Sequence, residues 1–158
     1  MIKVLFVCLG NICRSPLAEA VFNGLLRDKG LEKAISCDSA GTSDYHIGEA
    51  ADVRTLEVVR EKKLNLEHHA RQFLSHDFSS FDYIIAMDES NLANIKTLGK
   101  DQKATYKLFM MREFDTDTSD TNVPDPYWGG DRGFFKVYNI LYRSCQNFLD
   151  YLKKEHSL

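Results

Sequence analysis

Apolar positions along the chain fall into two kinds of stretch that take turns: short, nearly unbroken runs, and longer segments in which an apolar residue recurs every three or four positions. Ile2 to Val7 is interrupted only by Lys3, the pattern of a strand buried on both faces. Pro16 to Lys29 places Leu17, Val21 and Leu25 at helical spacing, and Gly30 supplies the stop. Ala34 to Cys37 predicts a second short strand. A helix over Ala50 to Lys63 follows, with Val53, Leu56 and Val59 on its inner side. Phe81 to Met87 predicts a third strand, Glu89 to Leu98 a helix, and Ala104 to Phe109 a fourth strand. Arg112 to Gly133 has no period and is rich in Asp, Thr, Gly and Pro; a loop of that length is commonly functional. Phe134, Val137, Leu141, Cys145, Phe148 and Leu152 then mark a long closing helix. Strand alternating with helix predicts an α/β fold, a parallel sheet with helices on both faces, in a single domain over 1–158. Ligands of such sheets bind beyond the carboxyl ends of strands, and the chain leaves the first strand at Cys8.

Composition narrows the choice of partner. The 158 residues are 44% hydrophobic and 27% charged, an ordinary globular balance. A net charge of -3 argues against a nucleic-acid binder that works by neutralising phosphates, although a local basic pocket is compatible with it. No apolar run approaches the roughly 20 residues that span a bilayer, so no membrane partner is expected. The opening apolar stretch is too short for a signal peptide and is soon broken by Gly10-Asn11, which leads to the expectation of a cytoplasmic protein. Cys8, Cys13, Cys37 and Cys145 match neither zinc-site nor C-x-x-C spacing and are expected as free thiols there. Cys37 and Cys145 read as small buried apolar residues.

Cys8-Leu9-Gly10-Asn11-Ile12-Cys13-Arg14-Ser15 joins the first strand to the first helix. Five residues between Cys8 and Arg14 can curl into a cradle of inward-pointing amides, and the adjacent helix N-terminus also favours an anion. Gly10 permits positive φ and Asn11 tolerates it, while Pro16 suits the first turn of the helix. Such surroundings favour a Cys8 thiolate, able to attack phosphorus in line and form a thiophosphate. Arg14 offers a planar fork for two equatorial oxygens, and Ser15 a hydrogen bond to the Cys8 sulfur. The bare C-x-x-x-x-x-R pattern arises by chance at about 0.2 per chain of this composition, so the strand before it and the Ser-Pro helix start after it carry the reading. Arg14 and the loop amides supply the charge that a metal would, so neither metal nor other cofactor is expected.

Displacing an alcohol from phosphate needs an acid for the leaving oxygen. Asp125, within Val123-Pro124-Asp125-Pro126-Tyr127-Trp128, is the candidate. Flanking prolines stiffen its backbone, and Tyr127 and Trp128 offer aromatic surface for a substrate ring.

The chain resembles the low-molecular-weight protein-tyrosine phosphatases over nearly its whole length. The resemblance is carried by Val4–Pro16, Asp38-Ser39-Ala40-Gly41-Thr42, Ala70-Arg71-Gln72, Phe81–Ile84, Met87–Asn91 and Asp125-Pro126. It implies a four-stranded parallel sheet flanked by helices, with Cys8 as nucleophile, Arg14 as transition-state clamp, and Asp125 as acid and then base. It implies further that Asn11, Ser15 and Ser39 form a network holding the loop, with His68 in support, and that Leu9, Tyr45, Tyr127 and Trp128 line the pocket. His46 and Trp128 depart from the residues the resemblance leads one to expect at the rim. Phosphotyrosine proteins or aryl phosphates would be the substrates and inorganic phosphate the product of a monomer or weak dimer.

An arsenate reductase on this scaffold would need further downstream cysteines to form its disulfide, and only Cys145 follows Phe81. A phosphoarginine phosphatase of similar build is expected to carry a smaller polar residue in place of Ile12, which would crowd a guanidinium. A non-catalytic phosphate-binding module is expected to have lost one of Cys8, Arg14 or Asp125. Redox sensing is compatible with catalysis: Cys13, on the same loop, either resolves an oxidised Cys8 as a disulfide or merely fills space behind the loop.

Overall fold

In the computed structural model, which describes residues 1–158, strand β1 spans Ile2–Cys8 and its side chains alternate between the two faces of a sheet. Val4, Phe6 and Cys8 pack into the larger core, with α1 (Arg14–Asp28), α2 (Val53–Glu61) and α5 (Asp131–His156). Leu5 and Val7 enter the smaller core opposite, beneath α3 (Asp77–Ser80) and α4 (Glu89–Leu98). Both faces of β1 are therefore dry, which is why its sequence is continuously apolar.

The other strands are β2 (Ile35–Gly41), β3 (Tyr83–Ala86) and β4 (Lys107–Met110), and all four are parallel in the order β2-β1-β3-β4. The chain runs from β1 outward to β2, then crosses back to β3 on the other side of β1. The connections thus diverge at the carboxyl end of β1, where Cys8 pairs with Gly41.

Several boundaries differ from those the pattern predicts. β2 continues to Gly41 rather than ending at Cys37, because it is an edge strand paired with the whole of β1 and can carry half-buried Asp38. α1 starts at Arg14 rather than Pro16, and α2 keeps only Val53–Glu61 of the predicted Ala50–Lys63. Asp52 caps α2 by accepting from the Arg54 N–H. Its buried stripe is Thr55, Val58 and Val59, whereas Val53 is 71% exposed and Leu56 lies at the surface. β3 and β4 are shorter than the apolar runs that signalled them, and the short α3 had no periodic signal. The long loop opens with a 3-10 turn over Met111–Phe114, and α5 begins three residues before Phe134. No helix is long and apolar enough to cross a membrane.

Candidate active site

From Cys8 to the start of α1 the carbonyl groups of Cys8, Leu9, Asn11, Ile12 and Cys13 point outward to donors on neighbouring segments. The Cys8 and Leu9 carbonyls accept from the Thr42 and Ser43 amides, and the Asn11 carbonyl from His68 Nε2 at 2.7 Å. The Ile12 carbonyl accepts from the Asp52 amide, and the Cys13 carbonyl from the Thr55 hydroxyl. No carbonyl or side chain of the protein accepts from the amides of residues 9–13. Turning the acceptors out leaves a ring of donors turned in, facing the N-terminus of a 15-residue helix.

Two residues make that curl possible. Asn11 has φ +56°, in the left-handed region, and its side chain repays the strain. Its amide Nδ2 donates to Ser15 Oγ (2.8 Å) and Ser39 Oγ (3.0 Å), and its Oδ1 accepts from the Arg71 amide (2.9 Å). Gly10 departs from expectation: its φ is not positive, and the glycine is needed for space. A Cβ there would lie 2.9 Å from His46 Cδ2. Gly41 is bare for a similar reason, since a Cβ would meet the Leu9 carbonyl oxygen at 2.7 Å.

Cys8 Sγ lies at the base of the cradle, 3.0 Å from Ser15 Oγ. Ser15 already accepts from Asn11, so its own hydrogen is free to point at the sulfur or at the Ala40 carbonyl, 3.4 Å away. His68 donates to the Asn11 carbonyl, which fixes the proton on Nε2. Burial lowers its pKa in spite of that bond, so the ring is neutral at neutral pH.

Arg14 is buried at the first turn of α1, and its guanidinium is steered from three sides. Nη1 donates to Asp88 Oδ2 (2.6 Å) and to the Val123 carbonyl (3.1 Å), and Nη2 lies 3.4 Å from Asp125 Oδ2. Burial works against the charge, but the Cys8 sulfur, Asp88 and Asp125 more than offset it and hold the Arg14 pKa above its ordinary value. Asp125 sits in the loop that precedes α5, accepting from the Tyr127 amide through Oδ1 (3.1 Å).

Cys8, Arg14 and Asp125 open into one pocket of about 150 Å³. Leu9, Gly10, Ile12 and Cys13 form its floor and near wall; Tyr45, His46, Tyr127 and Trp128 form the rim. The structure brings every one of these sequence-singled residues to one cleft. Ser15, Asn11, Ser39 and His68 lie behind it, outside the lining. Trp128 is 88% exposed and stands edge-on to Tyr127, at the mouth rather than in the depth.

Two participants escape a reading of the sequence alone. Asp88 holds Arg14 from the end of β3, yet along the chain it shows only as part of Met87–Asn91, with no site role; it also caps α4 by accepting from the Asn91 amide. Arg54 reaches the Asp125 loop from α2, and nothing local signals that contact.

Comparisons with known proteins point to one family. The family model described as low molecular weight phosphotyrosine protein phosphatase matches residues 3–158. A low molecular weight phosphotyrosine protein phosphatase of Schizosaccharomyces pombe is 46% identical over 149 residues, 94% of this chain and 95% of that protein. A protein tyrosine phosphatase of Entamoeba histolytica, solved with Hepes in its active site, superposes with a TM-score of 0.92 at 42% identity, covering 100% of both chains. An arginine phosphatase of drosophila also superposes with a TM-score of 0.92, at 34% identity, over 96% of this chain and 98% of that one.

Proposed function

The chain belongs to the low molecular weight phosphotyrosine protein phosphatase family, and on that premise we propose which of its residues carry the hydrolysis of protein phosphotyrosine and small aryl phosphates. The enzyme is a protein-tyrosine phosphatase, a phosphoric monoester hydrolase working through a cysteinyl-phosphate intermediate. Cys8 thiolate attacks phosphorus in line; the S–P bond forms as the P–O bond to the aryl group breaks. The departing electron pair goes to the phenolic oxygen, which takes a proton from Asp125. Asp125 carboxylate then accepts a proton from water as that water attacks phosphorus. The S–P bond breaks, Cys8 thiolate returns, stabilised by the Ser15 hydroxyl, and inorganic phosphate leaves. Arg14 and the amides of residues 9–13 hold the equatorial oxygens throughout, their donors set in advance for the charge they meet.

One observation carries this reading: the inward donors left by the outward carbonyls surround a sulfur that shares its pocket with Arg14 and Asp125. Asn11, Ser39 and His68 hold that loop in shape. Leu9, Tyr45, Tyr127 and Trp128 receive the ring and set the depth a substrate must reach. Phosphotyrosine, phosphoserine and phosphoarginine peptides of one sequence test the specificity. The expected order puts phosphotyrosine far ahead; comparable efficiency on phosphoserine would overturn it. The arginine phosphatase likeness gives the third peptide its point, and Ile12, buried in the pocket wall, is the residue expected to turn a guanidinium away.

The four free thiols suit a cytoplasmic setting, and two of them suit redox control. Peroxide converts Cys8 thiolate to a sulfenic acid, and Cys13, on the same pocket, attacks that sulfur to give a Cys8–Cys13 disulfide and water. Burial, and then Asp52 and Cys8, push the Cys13 thiol up, so it must first lose a tightly held proton. Peroxide followed by dithiothreitol should restore wild type and leave Cys13→Ser largely dead; equal recovery would reduce Cys13 to packing.

A further inference from the structure

Guanidinium groups hold the segment around Asp125 at four carbonyls. Upstream, Arg112 Nη1 donates to the Asn122 carbonyl (3.0 Å) while its Nε bonds Asp115 Oδ2 (3.2 Å). Arg14 takes the Val123 carbonyl. Downstream, Arg54 takes two: Nη2 donates to the Tyr127 carbonyl (3.1 Å) and Nη1 to the Gly129 carbonyl (3.0 Å).

Arg54 is itself held rigidly. Its Nε and Nη2 donate to the two oxygens of Asp52, both at 3.0 Å, a bidentate pair at the start of α2. Its guanidinium carbon lies 4.5 Å from the centre of the Phe134 ring and 5.7 Å from that of Tyr127. A planar fork with five donors can serve a carboxylate and two carbonyls together; an ammonium cannot. Tyr127 is the link to the chemistry. Its carbonyl accepts from Arg54, and its amide donates to Asp125 Oδ1 at 3.1 Å, so a displacement of Tyr127 turns the Asp125 carboxyl with it.

We propose that Arg54 is a positioning residue for the general acid, setting through Tyr127 the direction from which Asp125 meets the leaving oxygen. This rests on the reading of Asp125 as the acid. Because Arg54 makes no hydrogen bond to the phosphate loop or the sulfur, and the Asp52 bond to the Ile12 carbonyl is made by the backbone amide rather than the side chain Arg54 holds, its loss acts on leaving-group protonation and spares phosphate binding. That separates it from a residue that merely keeps the protein folded.

The test is kcat/KM on aryl phosphates running from phenyl to 4-nitrophenyl to 2,4-dinitrophenyl, with Arg54→Met and Arg54→Lys, each alone and combined with Asp125→Asn. Arg54→Met should lose about tenfold or more on phenyl phosphate, the scale of a misplaced catalytic group, and little on the dinitrophenyl ester. Arg54→Lys should restore at most part of that loss. In the Asp125→Asn background the change at Arg54 should cost about twofold or less, since the group it positions is already gone. The inhibition constant of inorganic phosphate should stay near wild type. A uniform loss across the series, a full second loss on top of Asp125→Asn, or a Lys variant equal to wild type overturns the proposal. Should Asp125→Asn itself show no dependence on leaving group, the acid reading falls and takes the proposal with it. A flat response confined to Arg54 overturns the proposal alone.

Discussion

The phosphate loop and the acid loop meet in one pocket but are built by opposite means. Residues 8–15 are consecutive, so the groups that meet the phosphate lie within one short stretch: Asn11 in the left-handed region with its side chain on Ser15 turns the chain, and neighbouring segments only receive the outward carbonyls. The Asp125 loop is a long connection with only a 3-10 turn at its start, and it takes its position from Arg14 and Arg54 far along the chain and from Arg112 in that turn. A loop whose functional groups are consecutive concentrates its function in a short motif. A loop held from outside distributes its function over positions that carry no local sign.

That contrast predicts two kinds of damage. Phosphate-loop changes should affect all substrates alike, because every substrate presents the same phosphoryl group. Acid-loop changes should discriminate by leaving group. The largest effect belongs to Cys8→Ser, which should lower turnover by several orders of magnitude while leaving inorganic phosphate bound, since the amide cradle survives. Phosphate affinity by calorimetry beside turnover checks both halves, and a substantially active variant would remove the covalent route.

Asp125→Asn comes next. A proton donor contributes about 10²–10⁴-fold, so phenyl phosphate should suffer on that scale and 2,4-dinitrophenyl phosphate far less. Parallel losses along the series would erase the distinction between the loops. Asn11→Ala sharpens it from the other side: the variant gives up three bonds and keeps an unfavourable φ, and should weaken phosphate binding and slow every aryl phosphate by a similar factor. A strong leaving-group dependence there would show the two loops to be coupled.

The smallest effect is on stability. Glu19 lies in α1 behind the phosphate loop, and burial, then Asp38, push its pKa up to about 8. The folded protein keeps that proton to higher pH than the unfolded chain, whose Glu titrates near 4.5. Between those values unfolding releases a proton, so stability falls as pH rises through the window. Glu19→Gln removes the loss and should raise the unfolding midpoint at pH 8, by about the 2–4 °C that 1 kcal/mol moves a domain of this size, with little gain at pH 5. A gain equal at both pH values would mean that Glu19 does not hold the proton.

What the sequence determined by itself follows from short-range physics. The buried strand of Ile2 to Val7, the helix stop at Gly30 and the C-x-x-x-x-x-R-S-P arrangement each record a requirement met within a few residues, so each could be read directly. Asp125 was legible for a weaker reason, through the prolines beside it and the need of Cys8 for an acid. Only the tertiary structure decided the rest. α2 turns Val53 and Leu56 outward because Thr55, Val58 and Val59 take the core side while Arg54 reaches the Asp125 loop, and no periodicity records which neighbour a helix will meet. β2 runs on to Gly41 because β1 offers it partners, overriding the polar Asp38 and Ser39. Asp88 and Arg54 join the site across 74 and 73 positions of chain. Electrostatic and hydrogen-bond partners act through distance in space, and distance in space exists only once the chain has folded.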